Sequence, residues 1–266
     1  MKKQFVITVK QLVLYLFLDQ GIAVLLMIPF MFHAIHKGLK GPALQDYLSN
    51  SSGALCVMII CCIITIAVFQ KKRYVSFKPG RIAPSNYLKA AGFAMLIAWG
   101  WEFTEGAAIQ LMGIDKMFPE EEEHFDMMNK MLSTPLGLIA AGILVPITEE
   151  IAFRGILVGG MLRMRLKPWI AILLPALVFG LAHGTYTQFV GTTIFGIICG
   201  WLYWSTRSLL PGILVHITNN TTVFCIVAFS NDPTGDIPTK YCLLLLAIFL
   251  PLLAIGLRWY NQKIRS

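Results

Sequence analysis

The sequence predicts an all-α membrane protein, a polytopic bundle of about eight transmembrane helices, on three observations. Of its 266 residues 56% are hydrophobic and only 14% charged, whereas a soluble domain carries roughly 25% charged residues. Apolar runs of the length a helix needs to cross a bilayer, about 20 residues, recur along the whole chain. Basic residues collect on alternate connections, as the positive-inside rule demands of a chain that weaves back and forth.

In order, the predicted spans cover 12–32, 53–70, 88–112, 136–160, 168–187, 189–204, 210–229 and 241–258. The first follows the basic start MKKQFVITVK, but it is too long for a signal-peptide core and lacks a small-residue cleavage site, so it reads as a retained span. With the N terminus cytoplasmic, the inner connections hold Lys2, Lys3, Lys10, then Lys71, Lys72, Arg73, Lys78, Arg81, Lys89, then Arg163, Arg165, Lys167, then Arg207. Arg258, Lys263 and Arg265 place the C terminus on the same side, and only Lys37, Lys40, Lys116, Lys130 and Lys240 fall opposite. The net charge of +8 therefore reflects orientation in a plasma (inner) membrane and not an affinity for nucleic acid.

Connections are short, so the chain reads as one integral membrane domain, 1–266, without a separate soluble catalytic unit. Any chemistry must take place inside or at the edge of the bilayer. The longest connections are 33–52, 71–87 and 113–135. The last, GIDKMFPEEEEHFDMMNKMLSTP, carries Phe125, Met128, Met131 and Leu132 at helical spacing; it reads either as an amphipathic helix on the outer surface or as a solvated acidic loop. Cys56, Cys61, Cys62, Cys199, Cys225 and Cys242 lack metal-ligand spacing and read as small buried hydrophobes.

Polar residues within the predicted spans are the functional candidates, because a charge at the bilayer centre costs on the order of 3 kcal/mol even on insertion scales. They are Asp19, Glu102, Glu105, Glu149, Glu150, Arg154, His183, His216, Asn219 and Asn220. Glu150 and Arg154 are four apart and can pair on one helix face. Glu149, about 100° round the helix, then lacks that partner and is the carboxylate free for chemistry. Phe179 with His183, and His216 with Asn220, repeat the four-residue spacing in two further spans. A carboxylate, two imidazoles and a carboxamide converging in a water-holding cavity suit hydrolysis: the first groups can take a proton from water, and His or Asn can donate to a developing oxyanion. Asp19, Glu102 and Glu105 receive no mechanistic role; a water path or bonds to neighbouring helices both suit the latter two.

EEIAFR (149–154), FGLAH (179–183) and HITNN (216–220) match, in order, the EExxxR, FxxxH and HxxxN motifs of the CPBP family of CAAX-processing and bacteriocin-processing intramembrane proteases. The flanking FRG and LLPGILVHITNN are similar too, and the likeness spans roughly 130–225, the expected catalytic core. The resemblance implies that Glu149 and His183 activate water, that His216 and Asn220 stabilise the oxyanion, and that Glu150 and Arg154 hold the site together. It leaves two accounts of the water: a metal-free glutamate mechanism, which the absence of HExxH favours, and zinc held by ligands among Glu149, Glu150, His183 and His216. No other cofactor is expected.

The expected activity is hydrolysis of a peptide bond in a membrane-anchored or hydrophobic peptide, with the lipid bilayer as the other partner. The alternative is a non-catalytic scaffold or bacteriocin-immunity-type protein of the same fold, with a transporter a distant third. One point of geometry conflicts: at 1.5 Å per residue, Glu149 lies past the midplane towards the cytoplasm, whereas His183, near the end of span 168–187, lies nearer the outer face. A tilt, a break at Pro146 or Pro175, or a shifted span boundary resolves it.

Overall fold

The computed structural model describes residues 1–118, 121–229 and 239–265, and among them the regular structure is entirely helical. The helices are α1 (Lys2–His36), α2 (Gly41–Asn50), α3 (Ser52–Lys71), α4 (Tyr87–Met112) and α5 (Glu122–Leu132), then α6 (Pro135–Arg163), α7 (Pro168–Ala182), α8 (Tyr186–Thr206), α9 (Leu210–Phe229) and α10 (Thr239–Arg265). Each predicted span falls on one of them. By length and apolarity α1, α3, α6, α8 and α10 can each cross a bilayer. The shorter apolar α7 and α9, and α4 with its two glutamates, complete the polytopic bundle.

Three boundaries differ from expectation. The first helix is 35 residues long, about 50 Å, so MKKQFVITVK is helical and the helix outruns a hydrocarbon core of about 30 Å. The 33–52 connection is mostly helix: α1 extends to His36 and α2 starts with Pro42 in its first turn, where proline's fixed φ is helix-compatible. Finally α7 ends at Ala182, not near 187. Its 15 residues span about 22 Å, and His183 directly follows its last turn.

Glycines set the closest helix contacts, as expected where lipid offers no hydrophobic drive for association and packing must supply it. α4 and α10 run together: a Cβ on Gly100 would lie 2.6 Å from the Leu253 backbone nitrogen, and one on Gly256 2.6 Å from Ile97. Phe93 stacks on Trp259 at 4.6 Å, and the Tyr260 hydroxyl donates to the Ala90 carbonyl at 2.7 Å. α7 and α8 form a hairpin turned at Gly184, whose φ of +74° favours glycine. Gly196 lets α8 approach Ala176 of α7.

The distribution of polarity is that of a membrane protein. Val13, Phe17, Val24, Leu25 and Phe32 of α1 and Leu243, Leu244 and Ile255 of α10 face outwards, while Glu150, Arg154 and His216 are buried. Four of the six cysteines are buried as expected; Cys56 and Cys225 lie on the outside, and all six are free thiols.

Candidate active site

The glutamate-bearing helix is not regular. Within α6, Leu138–Leu144 and Glu150–Val158 have π-helical turns on either side of Val145–Glu149, and α1 has a π-helical turn at Phe17–Gly21, around Asp19. Such widened turns are rare and concentrate at functional sites. Here the turn in α1 contains Asp19, and the second stretch in α6 begins at Glu150, directly after Glu149.

Glu150 is fully buried and its Oε1 lies 2.9 Å from Arg154 Nη1. Arg154 also donates to the Gly196 carbonyl at 3.5 Å, and its guanidinium sits 4.7 Å from the Phe179 ring centroid, within cation–π range. Gly212 leaves room for the second Glu150 oxygen, since a Cβ there would lie 2.6 Å from Oε2. His216, on α9, is 3% exposed and bridges the two glutamates: Nδ1 is 3.2 Å from Glu150 Oε1 and Nε2 is 3.4 Å from Glu149 Oε2. The Nδ1 contact is a hydrogen bond to Glu150, while the longer Nε2 contact to Glu149 is an ion-pair distance. The rings of Phe179 and Phe195 meet His216 edge-on at 5.8 and 5.0 Å and fix its orientation.

Glu149 has a different environment from its neighbour. Its side chain is 24% exposed, against 0% for Glu150, and it opens into a chamber of 540 Å³ between α1, α2, α3, α5 and α6. Tyr15, Asp19, Cys62, Met128 and Thr148 are among the walls.

His183 and Asn220 line a second chamber, of 440 Å³, with Glu102, Glu105, Gln188 and Asn219. The His183 Nδ1 lies 2.8 Å from the Phe179 carbonyl, which only accepts, so Nδ1 carries the proton and the neutral ring keeps its lone pair on Nε2. Asn220 Nδ2 donates to the Ala141 carbonyl at 3.0 Å, within the first π stretch of α6, and retains a second N–H. Glu102 lies against Asn219, and Glu105 against Trp101 and Gly191.

The structure thus brings Glu149, Glu150, Arg154 and His216 into direct contact, while His183 and Asn220 lie in the adjoining chamber. Among the described residues no hydrogen bond or ion pair joins Glu149 to His183. Met128 and Met131 of α5 line both chambers, so this helix roofs the site. Of the apolar residues expected on it, Leu132 is buried, while the Phe125 side chain lies outside the described residues.

Sequence reasoning gave no role to Glu121. Its carboxylate accepts from the backbone N–H groups of Tyr186 at 2.6 Å and Thr187 at 3.2 Å, capping α8 from the segment that leads into α5. Nothing in the acidic run distinguishes this glutamate from its neighbours, so only the tertiary contact reveals it. Tyr15 and Thr148, beside Glu149, were likewise not singled out.

Among the described residues no three His, Cys, Asp or Glu groups converge to hold a metal ion. The donor atoms nearest to convergence, on Glu149, Glu150 and His216, face one another and Arg154.

The family described as type II CAAX prenyl endopeptidase Rce1-like matches residues 131–222, the stretch that holds all three motifs. A Bacillus subtilis (strain 168) protein named "Putative membrane peptidase YdiL" is 24% identical over 208 residues, covering 75% of this chain and 81% of that protein. No solved structure matches. The resemblance to CPBP-family proteases read from the motifs therefore holds, and these likenesses support a membrane peptidase in general.

Proposed function

We propose that this integral membrane protein is an intramembrane endopeptidase that hydrolyses a peptide bond of a membrane-associated peptide by direct attack of water, without a metal and without an acyl-enzyme. The observation that carries this reading is the division of labour between adjacent carboxylates. Glu150 is sealed against Arg154, and Glu149 opens into a chamber large enough for several side chains.

A peptide lying beneath α5 would run from one chamber to the other, since Met128 and Met131 belong to both. On one side of its scissile bond stands Glu149, steadied by the imidazole of His216. On the other stand His183, with its Nε2 lone pair available, and the second amide proton of Asn220. Glu149, aided by His183, takes a proton from water as the oxygen attacks the carbonyl carbon. Asn220 donates to the oxyanion that forms, with the His216 imidazole beside the glutamate. Collapse breaks the C–N bond, and the proton held on Glu149 passes to the leaving amine.

The test is cleavage of a quenched hydrophobic peptide library by purified protein in lipid nanodiscs, with and without a strong chelator. Cleavage that the chelator leaves unchanged is expected. Cleavage that stops with the chelator and returns with zinc overturns the metal-free mechanism, and absence of cleavage throughout overturns the peptidase reading.

A further inference from the structure

The first chamber holds an acid that the proposed reaction does not use. Asp19 sits in the π-helical turn of α1, across the chamber from Glu149. Its Oδ2 accepts from the Gln20 amide at 2.8 Å and from the Tyr15 hydroxyl at 3.4 Å, while Oδ1 is buried without a partner. Among the described residues no lysine, arginine or histidine lines this chamber. Glu149 has His216 and Glu150 has Arg154, but no cation pairs with Asp19 among the described residues. In the second chamber Glu102 and Glu105 are likewise bonded by neutral side chains, Asn219 and Trp101, but of these three acids only Asp19 has a buried oxygen without a partner.

Apart from Gln20, Ser49, Asn50 and Thr148 the wall is largely apolar and pliable, with Met27, Met58, Met127, Met128 and Met131 beside Ala23, Ala54 and Val57. Methionines adapt to an unbranched chain, and lysine and arginine carry a charge at the end of such a chain. An apolar slot ending in one unpaired carboxylate is complementary to that shape and charge. A half-buried carboxylate with one buried, unpartnered oxygen and no counter-charge is costly in a membrane, and a cation supplied by the substrate offsets that cost.

We infer that Asp19 is a specificity residue which receives the lysine or arginine side chain of a substrate residue flanking the scissile bond, so that the natural substrate is a hydrophobic peptide with a basic residue beside its cleavage site. This rests on the peptidase reading, with Asp19 binding substrate and taking no part in the chemistry.

The test measures binding and cleavage separately. Peptides identical except for lysine, norleucine or glutamate at each position flanking the cleaved bond are bound to Glu149→Gln protein in nanodiscs, and dissociation constants are read by fluorescence anisotropy. The lysine peptide is expected to bind about tenfold more tightly than the norleucine peptide, equivalent to about 1.4 kcal/mol. That preference should vanish in Glu149→Gln/Asp19→Asn and turn towards glutamate in Glu149→Gln/Asp19→Lys. With Glu149 intact, Asp19→Asn should raise KM for the lysine peptide and remove its advantage in kcat/KM over the norleucine peptide. Equal binding of the three peptides, absence of binding, or a lysine preference that survives Asp19→Asn overturns the inference. Loss of cleavage with the binding preference intact counts instead against the peptidase reading.

Discussion

Removing the Arg154 guanidinium should unfold the site from within. In Arg154→Met the side chain keeps most of its length, yet Glu150, with no exposed surface, loses the partner 2.9 Å away and retains only the His216 contact at 3.2 Å. Breaking a buried pair by deleting one partner costs about 3–5 kcal/mol. At roughly 2–4 °C per kcal/mol for a chain of this order of size, the melting temperature should fall by about 6–20 °C. The six tryptophans allow this to be followed by scanning fluorimetry in detergent. Glu150→Gln/Arg154→Met removes both charges and should recover more than half of the loss, because no uncompensated ion is left behind. A single variant that melts within 2 °C of the native protein, or a double variant no more stable than the single, would refute the description of Glu150 and Arg154 as a sealed pair.

Three further outcomes follow from particular contacts. Glu121→Ala removes the acceptor for the first N–H groups of α8 and should cost about 1–2 kcal/mol, seen as faster hydrogen exchange at Tyr186 and Thr187. Gly100→Leu drives a side chain into the Leu253 backbone and should destabilise by about 1–3 kcal/mol, with a lower melting temperature and unchanged kcat in the fraction that remains folded. His183→Gln should lower kcat by about 100-fold or more with little change in melting temperature, because its Nδ1 bond to Phe179 is local and its Nε2 is reserved for substrate and water.

The membrane class and the order of the spans were legible because each rests on a local quantity, a run of apolar residues of sufficient length. The Glu150–Arg154 pair was legible for the same reason, since a four-residue spacing fixes two side chains on one helix face. What depends on which helices touch was not. The contact of His216 with Glu149 joins α9 to α6, and periodicity within either helix is silent about it. The same holds for Asp19, which shares a chamber with Glu149 although 130 residues separate them. The early end of α7 had a local signal that reading by span length passed over, since His183, Gly184 and Thr185 interrupt the apolar run directly after Ala182 and Gly184 makes the turn into α8. The π-helical turns have no sequence signature that apolar periodicity could expose, yet they shape the helices at Asp19 and beside Glu149.

The proposal centres on one oxygen, the Glu149 carboxylate that opens into the chamber. The most direct measurement is the cleavage rate of Glu149→Gln against native protein on the same peptide, in nanodiscs, after matched melting temperatures show that both are folded. General-base loss predicts a fall of about 1,000-fold or more with KM little changed, the substitution being isosteric. Cleavage retained within tenfold of the native rate would contradict the assignment of Glu149 as the group that activates water.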